Sequence, residues 1–262
     1  MNARALSGLG LLVALTALAV GHAVLAGGAA GCPFGVDPQL PFETVCAQTV
    51  GGLWRSAALG LVAGAGGCAL AVAFALLGRR LGKGADLAVE KLAELFFAIP
   101  DVLVLISLGF VARAVKGGES VSLPWMMVAL TAIGWAAPTR MVQNRLRSLE
   151  RLDFVAAARA LGVPEGRLLL RHLLPMAWDF LLAIFLMRVP AIILTESTVS
   201  YLGFGLPVSE PSLGKYLGSH FGLLLQGNWE AVVPAWALLV LMVLGFQQVG
   251  RGLLERSEGA KR

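Results

Sequence analysis

The run LWRSAALGLVAGAGGCALAVAFALL, residues 53–77, limits what this chain can fold into more than any other feature. It is longer than the roughly 20 apolar residues a helix needs to cross hydrocarbon, and its side chains do not alternate with period two. Similar runs place spans at about 6–29, 54–78, 89–113, 122–139, 176–200 and 231–250. Backbone N–H and C=O groups in lipid must bond within the protein, which leaves helices or a closed barrel. Unbroken apolar runs select helices. The chain is 57% hydrophobic and 14% charged, against about 25% charged in soluble domains. The expected fold class is an all-α integral membrane protein with about six transmembrane helices, forming one transmembrane domain over residues 1–262.

The formal charge of +5 is distributed by topology. With the N-terminus inside, Arg4, the Arg79-Arg80-Lys83 turn, seven arginines from Arg140 to Arg171 and the 251–262 tail all fall on the cytoplasmic side. Arg55, Arg113, Lys116 and Lys215 fall at or near outside loops. That asymmetry follows the positive-inside rule, so no nucleic-acid partner is expected, and lipid is the surrounding solvent. The first span, with Arg4 ahead and Val24-Leu25-Ala26 behind, has the outline of a signal peptide, and Ala29-Ala30-Gly31-Cys32 that of a lipoprotein site. Its apolar run exceeds the 7–15 residues of a signal core, which favours a retained anchor. Cys32 and Cys46 share the first outside loop, where a disulfide and two free thiols are both open readings; Cys68 reads as a small core residue.

Within the spans, Gly60, Gly64, Gly66 and Gly67 offer a surface for close helix approach, either within the chain or to another subunit. Asp86, Glu90, Lys91 and Glu94 open the third span, Pro100 is expected to kink it, and Asp101 follows at a costly depth. The fifth span carries Asp179 near its start and Arg188, Pro190 and Glu196 further in. Asp101, Arg188 and Glu196 are therefore candidates for a translocation pathway, with structural pairing or local satisfaction as the alternative. Past Tyr201 the chain turns to Gly and Pro, and GKYLGSHFGLLL within the outer-face loop (about 201–230) is too short to span. It reads as an interfacial helix, with Trp229 and Trp236 at a membrane boundary.

The largest inside loop, about 145–175, contains DFVAAARALGVPEGRLLLRHLLP. Asp153 is a natural N-cap, Gly162 a natural left-handed C′ residue, and Pro164 suits the first turn of a second helix. Eight or so residues are too few for a stable isolated helix, so the Ala157-Ala158 face must rest on something. Docking to a partner and lying on headgroups through Arg159 and Arg167 both fit the residues.

Ala157, Ala158, Gly162, Leu174 and Pro175 stand at the spacing of the EAA loop, so the stretch resembles that of the permease subunits of ATP-binding-cassette importers. AARALG…RHLLP, Glu196 with SYLGFG at 200–205, and PSLG at 211–214 are similar to the second permease of dipeptide, oligopeptide and nickel importers. The resemblance implies that residues 153–162 form a coupling helix seated on an ATPase, with Asp153, Ala157, Ala158, Arg159 and Gly162 in that role. Pro164, Leu174 and Pro175 would relay motion to the fifth span. It also implies a second homologous permease, two ABC ATPase subunits, a periplasmic substrate-binding protein, and a bacterial inner-membrane location with both termini cytoplasmic. Peptides lead the implied cargo, ahead of nickel chelates and other small polar solutes. The family's usual Glu is Ala156 here, leaving Asp153 or Arg159 as the polar contact; His172 and Leu213 are further departures.

No G-x-x-x-x-G-K-[ST] loop occurs, because residues 78–83 have the wrong spacing. His22, His172 and His220 form no ligand motif, and no catalytic triad pattern is present. A non-catalytic subunit without metal or cofactor is expected. Two readings of other classes remain: an ion-gradient carrier using Asp101, Arg188 and Glu196, and a structural membrane subunit that docks an ATPase.

Overall fold

A computed structural model of the chain describes residues 3–25, 42–115, 122–207, 210 and 212–259. Cys32 and the side chains of Cys46 and His22 lie outside the described residues, as do residues 29–32, Lys116 and Pro211, so the disulfide and lipoprotein readings do too. Every regular element among the described residues is helical. The long helices are α1 (Ala3–Leu25), α2 (Phe42–Leu81), α10 (Trp178–Tyr201) and α12 (Trp229–Gly259). Between α2 and α10 lie α3 (Lys83–Phe97), α4 (Asp101–Val115), α5 (Leu123–Ile133), α6 (Ala136–Leu149), α7 (Asp153–Ala160), α8 (Glu165–Leu168) and α9 (Leu174–Met176). α11 (Leu213–Leu225) sits between α10 and α12.

Among the described residues, three segments can cross a membrane by length and composition: Thr49–Leu81, Trp178–Tyr201 and Val232–Arg256. A fourth arises if α3 and α4 count as one span bent by 73°. That bend falls at Pro100, the expected kink. The expected span over 122–139 is instead broken between α5 and α6 at Gly134 and Trp135. The break lies against α2: a Cβ on Gly67 would come within 3.2 Å of the Gly134 backbone. α2 is 40 residues long, about 60 Å at 1.5 Å per residue. It outruns a hydrocarbon core of about 30 Å and reaches into the charged layer that follows.

α10 is the axis of the bundle. Its apolar residues are spread around the helix rather than confined to one stripe, and it packs against α2, α4, α11 and α12. The glycines of α2 make this approach close and within the chain. A Cβ at Gly60 would sit 2.7 Å from Ile193 Cγ1, and one at Gly64 would meet Val189, Phe185 and Ile192. α1 runs antiparallel to α12, with Gly8 against Gly245 and Gln248, Gly252 against Ala5, and Arg4 paired with Glu255 at 2.5 Å. Gly250 of α12 in turn rests on Met187 and Ala183 of α10. Both described ends of the chain therefore lie at the end of the bundle that carries the 149–177 segment, called here the loop end.

A Gly60→Val variant should lower thermal stability in detergent by about 1–3 kcal/mol, the usual cost of overpacking a filled contact. Gly10→Val, at a glycine with nothing within 4 Å, should leave the unfolding midpoint in place. Equal shifts would mean that the α2–α10 contact is not tight.

Candidate functional site

The loop end is built on charge. Asp86, nearly fully buried at the start of α3, accepts hydrogen bonds from Arg79 Nη1 at 3.1 Å, Gln143 Nε2 at 2.9 Å and Arg147 Nη2 at 2.9 Å. Arg147 also binds Glu90 at 2.5 Å, and Arg79 Nε donates to Glu150 at 3.0 Å. One carboxylate thus ties α2, α3 and α6 together just before the loop begins. Beside it a cleft of about 700 Å³ is lined by Arg79, Lys83, Arg147, Arg151, Arg159 and Glu165, among others.

α7 begins one residue earlier than capping by Asp153 requires. Leu152 takes the extended N-cap conformation (φ −75°, ψ 142°), its carbonyl accepts the Val155 N–H at 2.9 Å, and no side chain caps the helix. Asp153 is instead the first helical residue, where its charge opposes the positive end of the helix dipole. The C-terminus closes as expected. Gly162 adopts φ +77°, its N–H reaches the Arg159 carbonyl at 3.0 Å, and the Val163 N–H reaches that of Ala158 at 3.1 Å. This is the Schellman arrangement. Pro164 is the residue ahead of α8, not within its first turn: at φ −65°, ψ 139° its carbonyl accepts the Arg167 and Leu168 amides.

Ala157 and Ala158 do not share a face, because successive helical residues point about 100° apart. Val155 is fully buried, and Ala158 and Val163 pack with it onto a cluster containing Leu146, Leu168 and Leu173. Phe154, Ala157 and Leu161 face outward, with Phe154 40% and Leu161 84% exposed. Arg159 is engaged within the loop: its Nε donates to Glu165 Oε1 at 2.7 Å and its Nη2 to Oε2 at 3.2 Å. The Glu165 hydrogen bond raises the guanidinium above its ordinary pKa, with burial working weakly the other way. Of the two residues expected to stand in for the missing Glu at 156, only Asp153 remains exposed without an ion pair among the described residues.

The link to α10 passes through a widened turn. Pro175 has no N–H for the Arg171 carbonyl four residues back, and its ring would crowd that carbonyl. The chain responds with a π turn over Leu169–Leu173, in which the Leu174 N–H reaches the Leu169 carbonyl five residues back. Leu173 is fully buried while Arg171 and His172 face out. Sequence reasoning placed Leu174 and Pro175 but not the π turn; the signal available was a proline just ahead of a long helix.

The three intramembrane charges separate into two sites. Arg188 Nη2 donates to Asp101 Oδ2 at 2.9 Å, joining α10 to the first turn of α4 directly after the Pro100 break. Glu196, fully buried, is two turns further along and meets neither of them; it lies among Ser56, Ser197, Ser200 and Ser212. Cys68 lines an apolar groove of about 760 Å³ between α2 and α10 with Ala65, Ala69, Leu174, Pro175 and Trp178.

Removing one partner of the Asp101–Arg188 pair should destabilise more than removing both. Arg188→Met alone strands a carboxylate, whereas Asp101→Asn with Arg188→Met should recover part of the loss. The double-mutant cycle, read from thermal unfolding in detergent, should show a coupling of about 1–3 kcal/mol. Strict additivity would mean that the pair is not formed.

Residues 65–250 match the family described as binding-protein-dependent transport system inner membrane component. The oligopeptide transport system permease protein OppC of Bacillus subtilis is 31% identical over 172 residues, 66% of this chain and 54% of that protein. OppC of Mycobacterium tuberculosis is 26% identical over 220 residues, covering 84% of this chain and 74% of the relative. A putative peptide permease protein of Brucella ovis is 33% identical over 175 residues, 66% of this chain and 55% of its own. The chain thus spans about half the length of the Bacillus and Brucella relatives. An inward-facing structure of the MetNI methionine ABC transporter superposes with a TM-score of 0.67 at 21% identity, over 83% of this chain and 99% of the other, so the two share a fold. With the family match running from α2 through most of α12, this chain is a multi-pass membrane protein that belongs to the binding-protein-dependent transport system inner membrane components.

Proposed function

We propose that this chain is the permease subunit of an ATP-driven importer of oligopeptides, with α7 as its coupling helix. The observation that carries the reading is the mounting of α7. It is an eight-residue helix held from beneath by Val155, Ala158 and Val163, closed by Gly162, and turned outward with Phe154, Ala157 and Leu161. A helix that short does not hold its shape without such support. An exposed Phe–Ala–Leu face with little charge fits an apolar groove on a partner better than a headgroup layer.

The contact replacing the family's Glu is then apolar, with Asp153 at the rim. Arg159 serves inside the loop by clamping α7 to Glu165 of α8. Force on α7 passes through the buried Leu168, Leu169 and Leu173 into α10, a two-state element biased by a ligand on another chain. A second homologous permease, two ABC ATPases and a periplasmic binding protein complete the assembly, with the loop end and both termini cytoplasmic. The charge asymmetry supports that orientation. The curated relatives described as oligopeptide permeases support the cargo class. In a gradient-driven carrier Asp101 and Arg188 would have to be open to ions, whereas here they neutralise each other.

The test is co-purification of the chain with its ATPase in mild detergent. Leu161→Asp alters a side chain that is 84% exposed, so folding should be spared while ATPase recovery falls about tenfold or more, the loss expected for a central apolar anchor. Gly162→Val should cost about 1–2 kcal/mol through the left-handed backbone and weaken ATPase recovery less than Leu161→Asp. Wild-type chain that recovers no ATPase, or a Leu161→Asp variant that recovers it in full, would overturn the coupling-helix assignment.

A further inference from the structure

Glu196 of α10 is fully buried, yet it meets no cation among the described residues. Its surroundings are hydroxyls. Ser200 Oγ donates to Oε1 at 2.7 Å, Ser56 Oγ and Ser197 Oγ approach Oε2 at 3.4 Å, and Ser212 reaches the same group. Three of these serines also receive a backbone N–H from the chain between α10 and α11, or from the start of α11. Leu206 N–H points to Ser200 Oγ at 3.4 Å, Leu213 N–H to Ser56 Oγ at 3.4 Å, and Lys215 N–H to Ser212 Oγ at 3.1 Å.

The direction of these bonds matters. The first amides of a helix have no partner within it, and in a dry environment each must find one. A serine hydroxyl can accept such an amide, but its own proton then needs an acceptor. Glu196 takes that proton for all three relays. The backbone around the relays leaves no slack: a Cβ on Gly52 would sit 2.9 Å from the Leu213 nitrogen and Ser212 carbonyl carbon, and one on Gly214 or Gly205 would overlap Ser197 or Ser200. α2, α10, the 203–206 turn and α11 are therefore brought together at one acceptor.

We propose that Glu196 is the positioning residue for α11, holding its start against α2 and α10 through the Ser56 and Ser212 relays and the preceding 203–206 turn through the Ser200 relay. It is not a contact for cargo or ions moving through the protein. This rests on the permease reading only for its transport readout. The chemistry predicts which substitutions are tolerated. Gln at this position keeps the acceptor for Ser200, and its NH₂ can donate to a second lone pair of a neighbouring hydroxyl, but the Ser56 and Ser212 protons lose theirs, so Gln should fall between Glu and Ala. Ala leaves three hydroxyl protons without an acceptor.

The experiment uses the full complex in vesicles, ATP-dependent uptake of radiolabelled trialanine, and maleimide labelling of Leu217→Cys, a partly buried position where α11 packs on the core. Arg256→Cys on the exposed end of α12 serves as the remote control. Glu196→Ala should raise labelling at 217 severalfold, leave 256 unchanged, and lower uptake about tenfold or more, as expected for stranded buried donors. Glu196→Gln, which keeps one acceptor of the three, should move both readouts in the same direction by less than Glu196→Ala. Ser56→Ala and Ser200→Ala should shift labelling in the same direction by less, and they carry the test if the Glu196→Ala variant does not assemble. Unchanged labelling at 217 in the alanine variants would overturn the proposal. So would a Glu196→Gln variant that loses uptake as Glu196→Ala does while its labelling stays at the wild-type level, because the carboxylate charge would then act directly. Wild type that takes up no trialanine with ATP would count against the permease reading, while the labelling would still decide the role of Glu196.

Discussion

The approach of α2 to α10 is the contact on which the rest of the structure depends. Gly60 and Gly64 let the α2 backbone come within side-chain contact of Val189, Ile192 and Ile193. In a bilayer little hydrophobic force draws helices together, so close packing between small and branched side chains supplies the attraction. Once α10 is held along that line, its polar residues reach fixed places. Arg188 meets the start of α4, and Glu196 meets Ser56 of α2. One apolar contact thereby sets the register of two polar ones.

The two ends of α10 are built differently. At the loop end the chain reaches it through a π turn forced by Pro175, under a shell of ion pairs centred on Asp86. Asp86 and Arg79 are largely shielded there, while Arg147 and Glu90 keep part of their surface in solvent, so the network grades from buried to solvated pairs. At the opposite end the helix closes with Gly203 at φ +85° and then folds back into α11. There the polar contacts are dry, and hydroxyls with a single carboxylate take the place of ion pairs. A wet end and a dry end that holds one geometry suit the lever proposed for α10, driven from one side.

Much of this was legible in the residues. The bend at Pro100, the left-handed Gly162, the short helix ahead of it and the short helix after Tyr201 all follow from local rules, because proline, glycine and helix length act within a few residues of themselves. Asp153 and Pro164 fell one residue away from their expected places, since a cap position depends on where the incoming chain turns. The pairing of Ala157 with Ala158 failed because a motif in sequence is not a face in space. Arg159 was one of two candidates for a polar partner contact; Glu165, brought beside it by the Gly162 turn, pairs with it within the loop.

The sequence by itself determined the solvent this chain folds in, its helical class, its bend at Pro100 and the family its loop resembles, because each is set by composition or by neighbours along the chain. Only the tertiary structure decided what the three intramembrane charges do. Asp101 and Arg188 are 87 residues apart and form a pair, Glu196 and Ser56 are 140 apart and share a hydrogen bond, and no periodicity along the chain encodes either meeting. The partner of a buried charge is chosen by which helices touch, and that choice is made by packing across the whole bundle.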